Sequence, residues 1–257
     1  MTAVPVPPPA ALVAVVAAEP AFEPAADELA RRLGVLLLAV DAWRAGAGGP
    51  VVLWWDAEGL AVRGPSASRA GPVRPLPPAP ARAGRDPLLR AVGRWNEVLD
   101  ATAGLGGDAG TRAAAGRQVT LVERSPVLAA VLAEALGRWR RDGVMAASRM
   151  TLVVADARDH LAAAATDVVF LDPMYPERTG GGRARARKAE APHLLRLLAG
   201  DDGDQGELLS LARRAARHRV VVKRPRHAPP LAGRPPNGSL PGRTVRYDLY
   251  AAEEVHP

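Results

Sequence analysis

The sequence predicts an α/β fold: a mostly parallel sheet with helices on both faces, preceded by a smaller α/β unit. Three observations predict it. From Asp86 onward, short apolar runs alternate with helical stretches, a rhythm that builds a parallel sheet. Residues 11–63 repeat the mixture on a smaller scale, and between Gly64 and Pro87 the chain turns to proline, glycine, serine and arginine without apolar period. Domain bounds follow: a small α/β unit over 1–63, a linker or irregular crossing over 64–85, and the main domain over 86–257.

Taken in order, the small unit reads as an apolar run (Leu12 to Val16), an amphipathic segment (Ala25 to Leu33) and a second run (Val35 to Val40). A hairpin follows, Val51 to Trp55 and Leu60 to Val62, turning at Glu58-Gly59. In the main domain, strand-like runs fall at Val98 to Asp100, Val119 to Glu123, Thr151 to Ala155, Val168 to Asp172 and Arg219 to Lys223. Ser125 to Arg141 has helical spacing, and Thr244 to Ala251 suits an antiparallel edge strand. There is no internal repeat.

With 257 residues, 48% of them hydrophobic, a sizeable core is feasible. The absence of cysteine removes disulfides, thiolate zinc sites and cysteine nucleophiles. The five histidines show no metal spacing, so no metal is expected. Basic residues number 34 against 27 acidic, and only Lys188 and Lys223 among them are lysine. Part of that arginine bias reflects GC-rich coding; the remainder favours a polyanionic partner. The apolar run from Ala10 lacks the cationic flank of a signal peptide and no run reaches the roughly 20 residues of a membrane span, so a cytoplasmic location is expected.

Ligands of parallel sheets bind at the carboxyl ends of strands, and four such ends carry chemistry. In "VLDATAGLGGDAG", Asp100 ends a strand and Gly104, Gly106 and Gly107 lead into a helix starting near Asp108. Glycines let the backbone turn tightly and approach a ligand, and the helix terminus adds partial positive charge. Gly104-x-Gly106-x-x-Ala109 also satisfies the dinucleotide fingerprint, with Glu123 as a ribose ligand. Asp100 tilts the balance toward S-adenosylmethionine, since a carboxylate there can hold an ammonium group and would repel a pyrophosphate. Asp156 ends the next strand, where it suits either an adenine amine or a helix cap.

Asp172-Pro173-Met174-Tyr175 suits an exocyclic amine, whose lone pair is shared with its ring. A carboxylate accepting one N–H and a backbone carbonyl accepting the other would turn that lone pair toward a donor methyl; Pro173 fixes φ to present the carbonyl, and Tyr175 can stack on the base. After it come Arg178, Arg183, Arg185, Arg187 and Lys188 around a glycine triplet, and "VVVKRPRH" puts Lys223, Arg224 and Arg226 at another strand end. Both segments read as grips for RNA phosphates. Trp54, Trp55 and Trp95 are expected to pack rather than bind RNA.

"VLDATAGLGGDAG", "VTLVERSPVLAAVLAEAL", "VVFLDPMYP", "RVVVKRPRHAPPLAG" and "RYDLYA" stand in the order seen in the RsmJ family, the ribosomal RNA small subunit methyltransferase J proteins. The chain resembles that family from about Gly84 to Glu253. The resemblance implies a Rossmann-like, class I methyltransferase fold that moves a methyl group from S-adenosylmethionine to the N2 amine of a guanosine in 16S rRNA, with the rRNA or the small subunit as partner. Carried over by position, it implies donor contacts at Gly107, Asp108, Glu123, Arg124, Asp156, Ala157 and Asp172. The chain departs from the family pattern at Gly107, where an arginine is expected, and at Asp156-Ala157, where small hydroxyl residues are expected. A methyltransferase for DNA bases or protein glutamine and a nicotinamide oxidoreductase are the rival readings.

Overall fold

The computed structural model describes residues 13–68, 71–79, 86–174, 192–200 and 205–253. Strands β1 (Val13–Ala17), β2 (Leu36–Leu38), β3 (Val51–Asp56) and β4 (Gly59–Arg63) form a four-stranded sheet in the order β2-β1-β3-β4, with α1 (Glu23–Leu33) and α2 (Val40–Arg44) between them. The expected run Val35 to Val40 divides: three residues pair with β1, and Val40 opens α2.

The main sheet is built from β5 (Glu97–Asp100), β6 (Gln118–Glu123), β7 (Met150–Val154), β8 (Thr166–Leu171), β9 (Ala216–Pro225), β10 (Gly238–Pro241) and β11 (Val245–Ala251). Their order is β10-β11-β9-β8-β5-β6-β7, with β5 to β9 mutually parallel and β11 antiparallel to β9. The last run is therefore antiparallel as expected, but it is not the edge. Gly238–Pro241 covers it, a strand too short and too rich in Gly and Pro to read as one.

The helices are α3 (Pro87–Val92), α4 (Gly107–Ala114), α5 (Pro126–Arg141), α6 (Ala157–Ala163), α7 (residues 192–199) and α8 (Gln205–Ala215). Three of them start on the same local chemistry. Asp86, Ser125 and Asp156 each accept a backbone N–H of the first turn, and proline at the first position of α3 and α5 presets φ.

Helix α5 joins the two sheets. One face packs Leu132, Ala135, Leu136 and Trp139 against Val119, Leu121 and Met150; the other puts Val127, Leu128 and Val131 into one cluster with Val13, Val15, Leu53 and Leu60 of the small sheet. A helix buried on both sides must be apolar nearly all round, which is how Val127 to Leu136 reads. The crossing that follows β4 is pinned where it is described: Val73 bridges Val62, Arg74 pairs with Asp56, and Pro78 lies against Gly110. The Trp54 ring lies tilted against Trp43 at 4.9 Å and Trp95 stacks on His218 at 4.7 Å, so Trp54 and Trp95 both pack.

Beyond β5 the chain runs outward to β6 and β7, then returns to place β8 on the opposite side of β5. That reversal opens a crevice at the carboxyl ends of β5 and β8, and Asp100 and Asp172 flank it.

Candidate active site

Two adjoining crevices occupy this switch point. The first, roughly 650 Å³ and open to solvent, is lined by Glu123, Arg124, Leu128, Asp156, Ala157 and Leu208. The second is lined by Asp100, Gly106, Gly107, Asp108, Pro173 and Lys223. Thr102, Gly104, Asp172, Met174 and Leu195 belong to both, so the Asp172 carboxylate stands on the wall between them.

The glycine loop is shaped by its own backbone. Gly104 and Gly106 have φ of +52° and +74°, and a Cβ on Gly106 would lie 3.0 Å from Leu132 Cδ1. Gly107 faces open space, so the arginine expected there would meet no obstruction within 4 Å of its Cβ. Glu123 braces the loop from below: Oε2 accepts from Gly104 N–H (2.9 Å) and Oε1 from Ser125 N–H (2.8 Å). Each oxygen keeps a further acceptor site. Burial pushes its carboxyl up, and the two backbone donors pull it back.

Asp100 lines the second crevice and already has a charged partner within the fold. It is buried, Oδ1 accepts from Thr102 N–H (3.2 Å), and Oδ2 is engaged by the fully buried guanidinium of Arg112, which also lies 4.0 Å from the Phe170 ring. A buried carboxylate needs a charged partner, and Arg112 supplies it from one turn inside α4. Burial still pushes the Asp100 carboxyl up, with Arg112 opposing.

Asp172 follows the last residue of β8. Its N–H donates to Thr102 Oγ1 (2.6 Å), and its Oδ2 accepts from Lys223 Nζ (2.8 Å). The same ammonium donates to Asp108 Oδ2 at 2.7 Å. Burial against the crevice walls pushes the Asp172 carboxyl up and Lys223 pulls it down; the two carboxylates in turn push the Lys223 ammonium above its ordinary value despite burial. Asp156 caps α6 by accepting from Arg158 N–H (2.8 Å) and also lines the first crevice. Arg124 Nε donates to the Ala199 carbonyl at 2.9 Å, tying α7 to the first crevice.

The basic rim differs from expectation. Lys223 points into the crevice onto two carboxylates rather than outward. Arg224 is buried and donates to the Pro229 carbonyl through Nε and Nη2. Of the three residues assigned to RNA here, only Arg226 is exposed. Successive side chains of a strand point to opposite faces, so Lys223 and Arg224 find different partners although both border the second crevice. Tyr175, Arg178, Arg183, Arg185, Arg187 and Lys188 lie outside the described residues. Sequence reasoning missed Thr102, Met174 and Leu195, which carry no charge to mark them.

The family described as "Putative SAM-dependent methyltransferase" matches residues 81–252. A ribosomal RNA small subunit methyltransferase J from Thioalkalivibrio sulfidiphilus is 40% identical over 88% of this chain and 95% of its own. The chain belongs to the ribosomal RNA small subunit methyltransferase J family. A second member, from Laribacter hongkongensis, is 49% identical over 64% of this chain and 60% of its own length. Among solved structures, a SAM-dependent methyltransferase from Neisseria gonorrhoeae superposes with a TM-score of 0.65 at 25% identity, covering 95% of this chain and 98% of that one. The enzyme is thus a SAM-dependent methyltransferase, and the dinucleotide reading of Gly104-x-Gly106-x-x-Ala109 falls away.

The site fits that donor. Asp100, Asp108 and Asp172 face Arg112 and Lys223, three carboxylates against two cations. Carboxylates gathered at this wall suit a cationic donor better than a pyrophosphate.

Proposed function

We propose that the enzyme transfers a methyl group from S-adenosylmethionine to the exocyclic N2 amine of a guanosine in 16S rRNA. The observation that carries this reading is the place of Asp172, held by Thr102 and Lys223 on the wall shared by the two crevices. The first crevice is read as the site of the donor's adenosine, and the second as shared by the donor's aminoacyl end and the incoming base.

In this reading Glu123 accepts from ribose hydroxyls, Asp156 and Ala157 border the adenine, and Gly104, Gly106, Gly107 and Asp108 border the aminoacyl end. The donor, when bound, supplies an electrophilic methyl on a sulfonium. Asp172 Oδ2 is occupied by Lys223, and among the described residues Oδ1 takes no hydrogen bond. Oδ1 therefore accepts one N–H of the amine, and a backbone carbonyl fixed by Pro173 accepts the other. Positioning of this kind supplies up to about 7–11 kcal/mol of a displacement barrier. The methylated nitrogen must then lose a proton, and Asp172 Oδ1, holding that amine, is its proposed acceptor.

Tyr175, next to Met174 in sequence, is the proposed stacking partner, and Arg183, Arg185, Arg187 and Lys188 the proposed phosphate grips. The partner is the rRNA, free or in the small subunit, and the small sheet is read as a separate unit helping to choose it. A cytoplasmic location follows from that partner; among the described residues no helix is long and apolar enough to cross a membrane.

The test is transfer of labelled methyl to naked 16S rRNA and to small subunits from a strain lacking the enzyme, followed by nucleoside analysis. N2-methylguanosine at one site supports the reading. Label on DNA or a protein glutamine, with none on rRNA, overturns it.

A further inference from the structure

The sequence suggests an RNA-facing Lys223, and the geometry assigns it elsewhere. Its ammonium lies 2.7 Å from Asp108 Oδ2 and 2.8 Å from Asp172 Oδ2, with its side chain 25% exposed. It is one of two lysines in a chain whose 34 basic residues are otherwise arginine. A compact ammonium with three rotatable donors can bridge carboxylates arriving from two elements, whereas a guanidinium is built to engage one carboxylate side-on. We propose that Lys223 is a positioning residue for methyl transfer: bridging Asp108 of α4 and Asp172 after β8, it fixes the Asp172 carboxylate so that Oδ1 meets the amine. This rests on the role given to Asp172 above.

The arrangement also couples the two crevices, because Asp108 sits in the first turn of α4, at the end of the glycine loop. Any shift of that loop moves one carboxylate of the bridge and, through Lys223, the other. Among the described residues, charged and titratable groups surround the bridge. Asp100 and Arg112 stand on β5 and α4, Asp108 and Asp172 take the ammonium, and Tyr247 of β11 lies opposite Lys223 in register. Asp86, before α3, is the remaining carboxylate felt by Tyr247. Burial pushes the Tyr247 phenol up to about 12, so it stays neutral and does not compete for the lysine. Without the ammonium, burial and the neighbouring carboxylates Asp108 and Asp100 would all push Asp172 in the same direction, upward.

The experiment compares wild type, Lys223→Met and Lys223→Arg, with folding checked by thermal denaturation. Three readouts are taken: donor affinity, the pH profile of kcat, and the titration of the Asp172 carboxyl by carbon NMR in donor-bound enzyme without RNA. For Lys223→Met we expect kcat to fall about tenfold or more at neutral pH. The acidic limb and the carboxyl titration should move to higher pH, and donor affinity should change much less than kcat. Lys223→Arg restores the charge and brings the acidic limb back toward wild type with only partial recovery of kcat. An unmoved acidic limb and an unmoved titration in Lys223→Met would overturn the assignment, as would a loss confined to donor affinity. If wild-type enzyme methylates no rRNA, the proposed function fails on its own; the carboxyl titration still decides whether Lys223 governs Asp172.

Discussion

The backbone N–H of Asp172 donates to Thr102 Oγ1 at 2.6 Å, joining the end of β8 to the turn that follows β5. Thr102 is held in turn by the Asp100 carboxylate, which accepts its N–H at 3.2 Å. The proposed acceptor carboxylate thus inherits its position from the buried Asp100–Arg112 pair through one threonine. Thr102→Val removes the hydroxyl at nearly constant shape and leaves the Asp172 N–H unpaired, which costs about 1–3 kcal/mol where no water replaces it. We expect kcat to fall severalfold with donor affinity nearly unchanged, and Thr102→Ser to recover most of it. Steady-state kinetics alongside donor titration checks this.

Gly106 caps α4 with φ of +74°, and a Cβ there would press on Leu132 at 3.0 Å. Gly106→Ala adds a left-handed backbone cost of about 1–2 kcal/mol to that contact. The expected result is weaker donor binding with a small loss of thermal stability. Gly107→Ala, with open space at its Cβ and no positive φ, should change both far less.

Arg112 is fully buried against Asp100 and the Phe170 ring. Arg112→Met strands a buried carboxylate, which typically costs about 3–5 kcal/mol. The sign of its pH dependence follows. Asp100 already has a folded-state value raised by burial, and losing the guanidinium raises it further. A carboxyl raised in the folded state favours folding at pH below its unfolded value and loses that contribution as pH rises through its folded one. The variant should therefore be more deficient, relative to wild type, at pH 8 than at pH 5. Denaturant melts at the two pH values measure it.

Arg226 and Arg243 are exposed, and Arg226 N–H donates to the Thr244 carbonyl at 3.1 Å beside Pro225 and Val245 of the second crevice. Neutralising both should flatten the salt dependence of RNA binding, by a slope of about 0.7–0.9 for each phosphate no longer neutralised. Arg224→Gln, which deprives the Pro229 carbonyl of its donors, should instead lower stability. Filter binding at several salt concentrations, set beside thermal melts, separates the two effects.

The legibility of this chain follows from what each signal encodes. The parallel strands β5 to β9 are visible because a strand buried on both faces must be continuously apolar, as Val168 to Leu171 and Val220 to Val222 are. β10 is not visible, since Gly238, Ser239 and Pro241 carry turn chemistry and pair only because Leu249 to Arg246 offer a free edge. At the site, the strand ends Asp100, Glu123, Asp156 and Asp172 can be located from the pattern, but their partners cannot. Arg112 lies twelve residues from Asp100, and Lys223 fifty-one from Asp172. Lys223 and Arg224 read alike in the sequence, yet strand alternation turns one onto the Asp172 carboxylate and the other onto the Pro229 carbonyl.

In the proposed reaction Asp172 orients an amine rather than holding the donor. The direct measurement is single-turnover methyl transfer by Asp172→Ala set beside its affinity for S-adenosylmethionine. We expect transfer reduced by about a hundredfold or more while donor binding weakens only modestly. Near-wild-type transfer in that variant, or a loss explained wholly by failure to bind the donor, would contradict it.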